Sequence, residues 1–429
     1  MGRAIAAWAK DKYKKDSPKI LIGADTRRSS PRIKNILGGA CADGGMLVVD
    51  AGVIPTPAVF SLISKDQTFD AGIVISASHN PYQDNGIKIF DARGCKITPE
   101  DEKALVGYVE SADAFVSSLD HEGQAGLWRD GQAALAIEQW SDANQMFQAS
   151  VIALFPQDFL KKVKVVLDCA HGATIATAPA IFTALGAEVI AIGAQPSGTN
   201  INHDCGATHP DALAQAVINT QADCGFAFDG DGDRIIAVNR HGQVKDGDDI
   251  LALLMQLPAY QSVSTVVGTI MSNQGFQIWL EGQGKTLART KVGDKYVAAK
   301  LEQDELPLGG EISGHIIVRD YLPTSDGIFV ALKVLESVIL HTNWDMKTFD
   351  KFPQTLINVP VAQKKDLAQS PLSQIIAEHE KLLQGGRLIV RYSGTEPLLR
   401  VMAEAANSET ACTVAQNLAH RLQCELQSN

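Results

Sequence analysis

Between residues 20 and 78 the chain alternates wholly apolar runs with patterns of helical period: ILIGAD (20–25), a helix over about 30–43, MLVVDAG (46–52), a helix near 57–64, and AGIVISAS (71–78). A strand that is apolar on both faces must be covered on both, and strands separated by helices form βαβ units on a parallel sheet. The alternation restarts after a polar, glycine-containing stretch near 111–135 and a long helical pattern around 136–150. A second block contains VKVVLDCA (163–170), a helix over about 174–185, AEVIAIG (187–193), a helix at 211–220 and CGFAFDG (224–230). The third holds a helix at about 248–256, TVVGTIMS (265–272), a helix at 275–281, KTLARTKVG (285–293), a helix at 295–303, PLGGEISGH (307–315) and a helix at 326–340. Past about 352 the pattern changes: RLIVRYSGTEPLLRVMAEA (387–405) reads as strand, turn and strand ahead of a terminal helix at 409–424. The expected organisation is three similar α/β domains, 1–150, 151–246 and 247–352, followed by a smaller α+β domain over 353–429.

A length of 429 residues accommodates such an array, because single cores stop growing well below it. No apolar run reaches the roughly 20 residues of a membrane span, and residues 1–20 are too interrupted by charge for a secretory signal. The expectation is a cytoplasmic protein. Seven cysteines without any CxxC pair suit reduced thiols better than a disulfide frame or zinc site. The net charge of −11 argues against wholesale binding to nucleic acid or to an anionic membrane, so an anionic ligand needs positive charge gathered locally.

Each block ends a strand in an unusual polar loop, and α/β proteins hold ligands at that carboxyl edge of the sheet. In ISASHNP (75–81) the loop presents Ser76, Ser78, His79 and Asn80. In DGDGDR (229–234) Asp229, Asp231 and Asp233 alternate after an apolar strand, so three carboxylates converge on one hard cation, with Mg²⁺ the natural choice. An EF-hand is excluded, since its sixth and twelfth loop positions are Arg234 and Arg240 rather than Gly and Glu. GGEISGH (309–315) offers Glu311, Ser313 and His315, equipment for gripping sugar hydroxyls and moving a proton. A fourth loop, in RYSGTEPLLR (391–400), gathers Arg391, Ser393, Gly394, Thr395 and Arg400 as a nest for a phosphate group. Each loop alone also reads as an ordinary turn. Together they suggest a serine that carries a phosphoryl group beside a metal, with Lys88 of NGIK and His315 as basic partners.

With these four motifs in chain order, the sequence resembles the α-D-phosphohexomutase superfamily over essentially its full length. GIVISASHNP with DNGIKIF, LDCAHGAT (167–174), GTNINHDCGATHPDAL (198–213), KVGDKYV (291–297) and RYSGTEP are similar to the branch acting on glucosamine phosphate. The resemblance implies interconversion of glucosamine 6-phosphate and glucosamine 1-phosphate through a phosphoserine and a sugar 1,6-bisphosphate, on the way to UDP-N-acetylglucosamine and cell-wall precursors. It makes Ser78 the phosphoserine and a ligand of Mg²⁺ together with Asp229, Asp231 and Asp233. Arg234 would steady the moving phosphoryl group and Glu311 and Ser313 would hold sugar hydroxyls. Arg391, Ser393, Gly394 and Thr395 would bind the phosphate that does not react, and Lys88 and His315 would share proton transfer. Asp294 of KVGDKYV is a further candidate sugar contact. The implied fold is three mixed α/β three-layer domains and a smaller α+β domain around a central cleft. Members of the family begin with a strand and loop like FGTDGIRG, whose arginine reaches the active site, and the present sequence starts with the helix of 2–13, so domain 1 is expected to lack that strand. Rival readings are a general phosphoglucomutase or phosphomannomutase, a phosphatase with Asp229 as nucleophile, and a non-catalytic phosphosugar-binding protein.

Overall fold

The computed structural model describes residues 1–118, 137–361, 363–393 and 397–427. The chain folds into two compact units, one of Met1–Gln261 with Ala298–Lys347 and one of Ser262–Val297 with Thr348–Asn429.

The first unit opens with the helix Gly2–Tyr13, whose Ile5 and Trp8 pack into a core with Ile20, Ile22, Ile73 and Ile75. Its first sheet contains β1 (Lys19–Ala24), β2 (Leu47–Val53), β3 (Ala71–Ile75), β4 (Ile87–Asp91) and β5 (Ile137–Gln139), in the order β4-β3-β1-β2-β5. The strands β1, β2, β3 and β5 run parallel, and β4 returns antiparallel to β3. The second sheet repeats this plan: β6 (Lys164–Asp168), β7 (Glu188–Ile192) and β8 (Cys224–Phe228) are parallel. The strand β9 (Ile235–Asn239) returns antiparallel beside β8, and β10 (Val244–Lys245) pairs antiparallel with β9 at the sheet edge. The chain then contributes β11 (Thr265–Thr269) and β12 (Thr286–Thr290), a parallel pair, to the second unit, and comes back for the antiparallel hairpin of β13 (Leu308–Gly310) and β14 (Ile316–Val318).

The three polar loops of the first unit therefore share one address, the connection from a strand to its antiparallel partner: β3 to β4, β8 to β9, β13 to β14. Such connections put their side chains at the carboxyl end of the preceding strand, where main-chain groups outside the ladder are free to hold a ligand.

In the second unit β15 (Gln354–Pro360), β16 (Arg387–Tyr392) and β17 (Leu398–Glu404) form an antiparallel sheet in the order β15-β17-β16. Leu418 and Leu422 of the terminal helix Ser408–Gln427 join its core with Leu399 and Val401. The strand, turn and strand expected at 387–405 are these β16 and β17.

Two local readings need correction. The helical pattern around 136–150 is a strand, β5, followed by a helix only from Ala143 to Ile152. Ile137 is drawn into the core beside β2, and the Trp140 amide donates to the Asp50 carbonyl at 2.8 Å, so edge pairing overrides a three-residue stretch too short to show its own period. The helix expected over 174–185 is a 3₁₀ turn, Ala173–Ala176, and then a helix Ala178–Ala184. Pro179, in the first turn of that second helix, has no N–H to continue the first.

Candidate active site

The end of β3 delivers Ser78 in a left-handed backbone conformation, φ 52°, which costs energy for a residue with a Cβ and persists only where neighbours hold it. The Ser78 hydroxyl donates to Asp229 Oδ2 at 2.5 Å, although 151 residues separate the two. His79 Nδ1 lies 3.4 Å from the same hydroxyl, and burial, then the Arg234 charge, lowers the pKa of its imidazole. Ser76 is turned inward, its hydroxyl accepting the Ser78 amide at 2.9 Å.

Asp229, Asp231 and Asp233 are all buried, and one carboxylate oxygen from each lies within 4.8 Å of the others. Lys88, on β4, reaches over with its ammonium 2.6 Å from Asp231 Oδ2 and 2.7 Å from Asp233 Oδ2. Thr56 donates its hydroxyl to Asp231 Oδ2 and its amide to the Asp231 carbonyl, which fixes that residue from a third side. Burial raises the Asp229 carboxyl well above the usual carboxylate range, and the charges of Asp233 and Asp231 add to the rise. Burial pushes Asp233 the same way, but the Lys88 ammonium, then His315 and Arg234, outweigh it and hold Asp233 well below that range. Lys88 is desolvated as well, yet its two carboxylates raise its pKa above the ordinary value. It is therefore an ammonium in this state. One ammonium against three acids leaves buried Asp231 Oδ1 and Asp233 Oδ1 without hydrogen-bond donors. Anionic oxygens in such a position are what a hard divalent cation satisfies, so the cluster fits a metal ion.

The other return loops close on the same cluster. Arg234 donates its amide to Asp229 Oδ1 at 3.0 Å, and its Nε is buried without a partner. The GGEISGH loop is stitched to β9, since the Ile235 amide donates to the Gly314 carbonyl at 3.0 Å. Gly314 has φ 88°, and a Cβ there would stand 2.0 Å from the Ile235 carbonyl oxygen, so only glycine permits the contact. This seam brings buried His315 within 3.7 Å of Asp233 Oδ1, while Glu311 is buried in the same turn and Ser313 is half-buried.

In the second unit Arg391 lies directly opposite Arg400 across β16 and β17. Like charges so paired repel, and burial, then the Arg400 charge, lowers the pKa of Arg391; an anion relieves both effects. Ser393 is buried, with its amide on the Leu398 carbonyl at 2.8 Å and its own carbonyl accepting from Lys364 Nζ at 3.1 Å. Gly394 and Thr395 lie outside the described residues. Asp294 is the first residue of the helix Asp294–Gln303 and accepts the Lys295 amide at 2.8 Å.

Models of four successive phosphoglucomutase/phosphomannomutase domains match this chain: alpha/beta/alpha domains I, II and III over residues 1–115, 147–242 and 246–352, and the C-terminal domain over 356–421. The chain belongs to the phosphoglucomutase/phosphomannomutase family. A phosphoglucosamine mutase of Aeromonas hydrophila is 41% identical over 426 residues, which cover 97% of this chain and 93% of that protein. Among solved structures, a phosphoglucomutase/phosphomannomutase family protein of Burkholderia thailandensis superposes with a TM-score of 0.75 at 22% identity, covering 100% of this chain and 94% of its own. An N-acetylphosphoglucosamine mutase of Aspergillus fumigatus, in complex with GlcNAc-6P and magnesium, has a TM-score of 0.60 at 17% identity over 87% of this chain and 93% of its own. Phosphohexomutase chemistry, an isomerase activity, follows from membership of the family.

Some residues that shape this site are not among the candidate site residues named from the sequence, although Asn202 lies within GTNINHDCGATHPDAL. Arg27 and Asn202 bind the serine loop, Thr56 binds Asp231, and Lys364 binds the Ser393 carbonyl. For Arg27 the signal was present, because ADTRR (24–28) is another polar burst at the end of a buried strand. Cys41 and Cys169 are buried, and burial pushes their thiols up to about 12, which leaves these two un-ionised and inert. Among the described residues no helix is long and apolar enough to cross a membrane.

Proposed function

We propose that this chain interconverts glucosamine 6-phosphate and glucosamine 1-phosphate, a phosphoglucosamine mutase activity that feeds UDP-N-acetylglucosamine and cell-wall precursor synthesis. The observation that carries the reading is the Ser78 hydroxyl set 2.5 Å from Asp229 in a buried triaspartate cluster. The 41% identity to a phosphoglucosamine mutase across nearly the whole chain supports the choice of sugar.

In this reading Ser78 carries a phosphate. The free hydroxyl of the sugar monophosphate attacks that phosphorus and gives up its proton to a base, while the Ser78 Oγ–phosphorus bond breaks and Oγ takes a proton from an acid. The product is a sugar 1,6-bisphosphate, which turns over and returns its other phosphate to Ser78. Lys88 and His315 would share the proton transfers, a reading supported by their approach to Asp233 at 2.7 and 3.7 Å. Arg234, with its buried Nε lacking a partner, would hold an oxygen of the moving phosphoryl group. Asp229, Asp231 and Asp233, with the Ser78 phosphate, would hold Mg²⁺, which supplies charge neutralisation to the phosphoryl oxygens. Glu311 and Ser313 would hold the sugar ring, and Arg391, Ser393, Gly394 and Thr395 the phosphate that does not react.

Two outcomes are expected. Arg391→Ala raises KM for the sugar monophosphate about tenfold or more, with a smaller loss in kcat, because a grip on the non-reacting phosphate acts on ground and transition states alike. An unchanged KM would reduce RYSGTEP to a turn. The phosphate, metal and serine contacts are blind to which hexose is attached, so discrimination falls to groups at the ring. Glu311, a buried carboxylate, gains more from a 2-ammonium than from a hydroxyl, and a preference for glucosamine phosphate of about tenfold or more follows. Coupled assays of kcat/KM on the 1- and 6-phosphates of glucosamine, glucose and mannose, with catalytic bisphosphate supplied, test this. Equal or better use of glucose or mannose phosphate moves the chain to the general phosphoglucomutase or phosphomannomutase reading.

A further inference from the structure

The serine loop is held from beneath by two side chains far away in sequence. Arg27 follows β1 and is only 1% exposed, an unusual position for a guanidinium. Its Nε donates to Asp25 Oδ2 at 2.8 Å, and Asp25 is itself fixed by the Arg27 amide at 3.0 Å and the Ser30 hydroxyl at 2.9 Å. The remaining four N–H groups go to main-chain carbonyls of one short segment. One terminal nitrogen donates to Ser78 and Asn80, each at 2.9 Å, and the other to Pro81 and to Asp84 at 3.1 Å. All five donors of the guanidinium thus have acceptors, and four of those acceptors belong to residues 78–84.

Asn202 approaches from the second sheet. Its Nδ2 donates to the same Ser78 carbonyl at 2.8 Å and to the Asn80 carbonyl at 3.2 Å. The Ser78 carbonyl therefore accepts two hydrogen bonds, one from each side, and its lone pairs are filled. Gly230, in the triaspartate loop, packs against this junction: a Cβ there would lie 2.7 Å from the Ser78 carbonyl oxygen and 2.8 Å from Asn202 Nδ2. Two further bonds tie the Arg27 segment to the second sheet's loops, from the Thr26 hydroxyl to the His171 carbonyl and from the Arg28 amide to the Gly198 carbonyl at 2.7 Å. The motifs LDCAHGAT and GTNINHDCGATHPDAL are thus engaged with the support of the serine loop.

We propose that Arg27 and Asn202 are positioning residues for phosphoryl transfer: by gripping the carbonyls of Ser78 and Asn80 they hold Ser78 in its left-handed conformation, with Oγ aimed at the triaspartate cluster. The left-handed backbone of Ser78 is a strained state that bare chain would leave, and a carbonyl trapped between two donors cannot rotate without losing both bonds. Neither residue reaches the sugar in this role, so their removal affects the geometry of transfer and not the grip on substrate. The inference rests on the phosphoserine reading above.

The experiment compares Asn202→Ala, Asn202→Asp and Arg27→Lys with the unsubstituted chain. It reads kcat and KM for glucosamine 6-phosphate, thermal unfolding, and Ser78 phosphate after incubation with glucose 1,6-bisphosphate and Mg²⁺. Asn202→Ala is expected to lower kcat about 10- to 100-fold with KM within about threefold, the scale of a small misplacement at a reacting centre. Asn202→Asp keeps the shape but turns an acceptor toward two carbonyls, so it is expected to lose more than Asn202→Ala. Arg27→Lys cannot span four carbonyls from one ammonium and is expected to lose about 100-fold or more in kcat. If Arg27→Lys fails to fold, the two Asn202 variants decide. A role in filling space alone predicts the reverse order, with the isosteric aspartate retaining more activity than alanine. That order, a kcat within about twofold of the unsubstituted chain for both Asn202 variants, or a loss confined to KM overturns the proposal. Active unsubstituted protein with no phosphate on Ser78 overturns the phosphoserine reading itself, and is told apart because it requires no variant.

Discussion

Ser78→Ala is expected to abolish mutase turnover while leaving the fold intact. Ser78 is half-buried at the end of β3 and packs no core, so removing one hydroxyl opens no cavity of consequence. Its chemistry has no substitute nearby. Ser76, two residues earlier, is 2% exposed and its hydroxyl is committed to the Ser78 amide at 2.9 Å, so it cannot meet a sugar hydroxyl. Asp229 is fully buried behind Ser78, and burial among other acids holds it well above the usual carboxylate range, which makes it a poor nucleophile. Activity should fall below about a hundredth of the unsubstituted chain's, set against the roughly 10⁶-fold or larger accelerations that enzymes supply. Circular dichroism and thermal unfolding should match the parent. A retained activity above that level would remove Ser78 as the carrier, and a variant that still accumulates an acid-labile phosphate would favour the aspartate-nucleophile phosphatase reading.

Asp231→Asn is expected to weaken Mg²⁺ binding about tenfold or more and to lower turnover by about 10²- to 10³-fold. The substitution keeps shape but removes one of three buried charges gathered within 4.8 Å, and one of the two carboxylates that hold Lys88. Both consequences act on the same step: the cation loses an anionic ligand and Lys88 loses an anchor. The effect on turnover should be partly restored by raising Mg²⁺, whereas the Lys88 component should not respond. Calorimetric titration of the full chain with Mg²⁺ reads the first part without any assay of activity. An unchanged affinity would show that the triaspartate loop does not hold the ion.

Much of the fold is legible because its strands are buried on both faces and so appear as unbroken apolar runs. ILIGA, AGIVI and CGFAF stand out for this reason, and β1, β3 and β8 lie where those runs are. The strand β5 was hidden, since three residues on a sheet edge carry no period and their pairing is decided by β2, some ninety residues earlier. The antiparallel returns β4, β9 and β14 are visible as apolar stretches, but only sheet order shows that the three chemical loops occupy equivalent connections.

The candidate site divides in the same way. Ser78, Lys88, Asp229, Asp231 and Asp233 announce themselves because their chemistry is compressed into SASHNP, NGIK and DGDGDR. Thr56 and Asn202 do not, and Arg27 shows only as a polar burst in ADTRR without its role, because the three act on partners 175, 124 and 51 residues away. Two of these three grip main-chain carbonyls, which every residue has and no motif can advertise. Asn202 sat in a stretch read only as a mark of the glucosamine branch; folding places its amide on the serine loop. The cross-strand pairing of Arg391 with Arg400 was half visible, since their spacing suggests a turn but only the register of β16 against β17 sets the two charges face to face.

The account turns on whether a phosphoryl group resides on Ser78 during turnover. Intact-mass spectrometry of the unsubstituted chain, after incubation with glucose 1,6-bisphosphate and Mg²⁺, followed by peptide mapping, measures this directly. The expected result is one acid-stable phosphate on the peptide that contains Ser78, lost stoichiometrically when glucosamine 6-phosphate or glucosamine 1-phosphate is added and the bisphosphate appears. A chain that turns over sugar phosphate yet carries no phosphate there, or carries it on Asp229 as a hydroxylamine-labile acyl phosphate, would contradict the account.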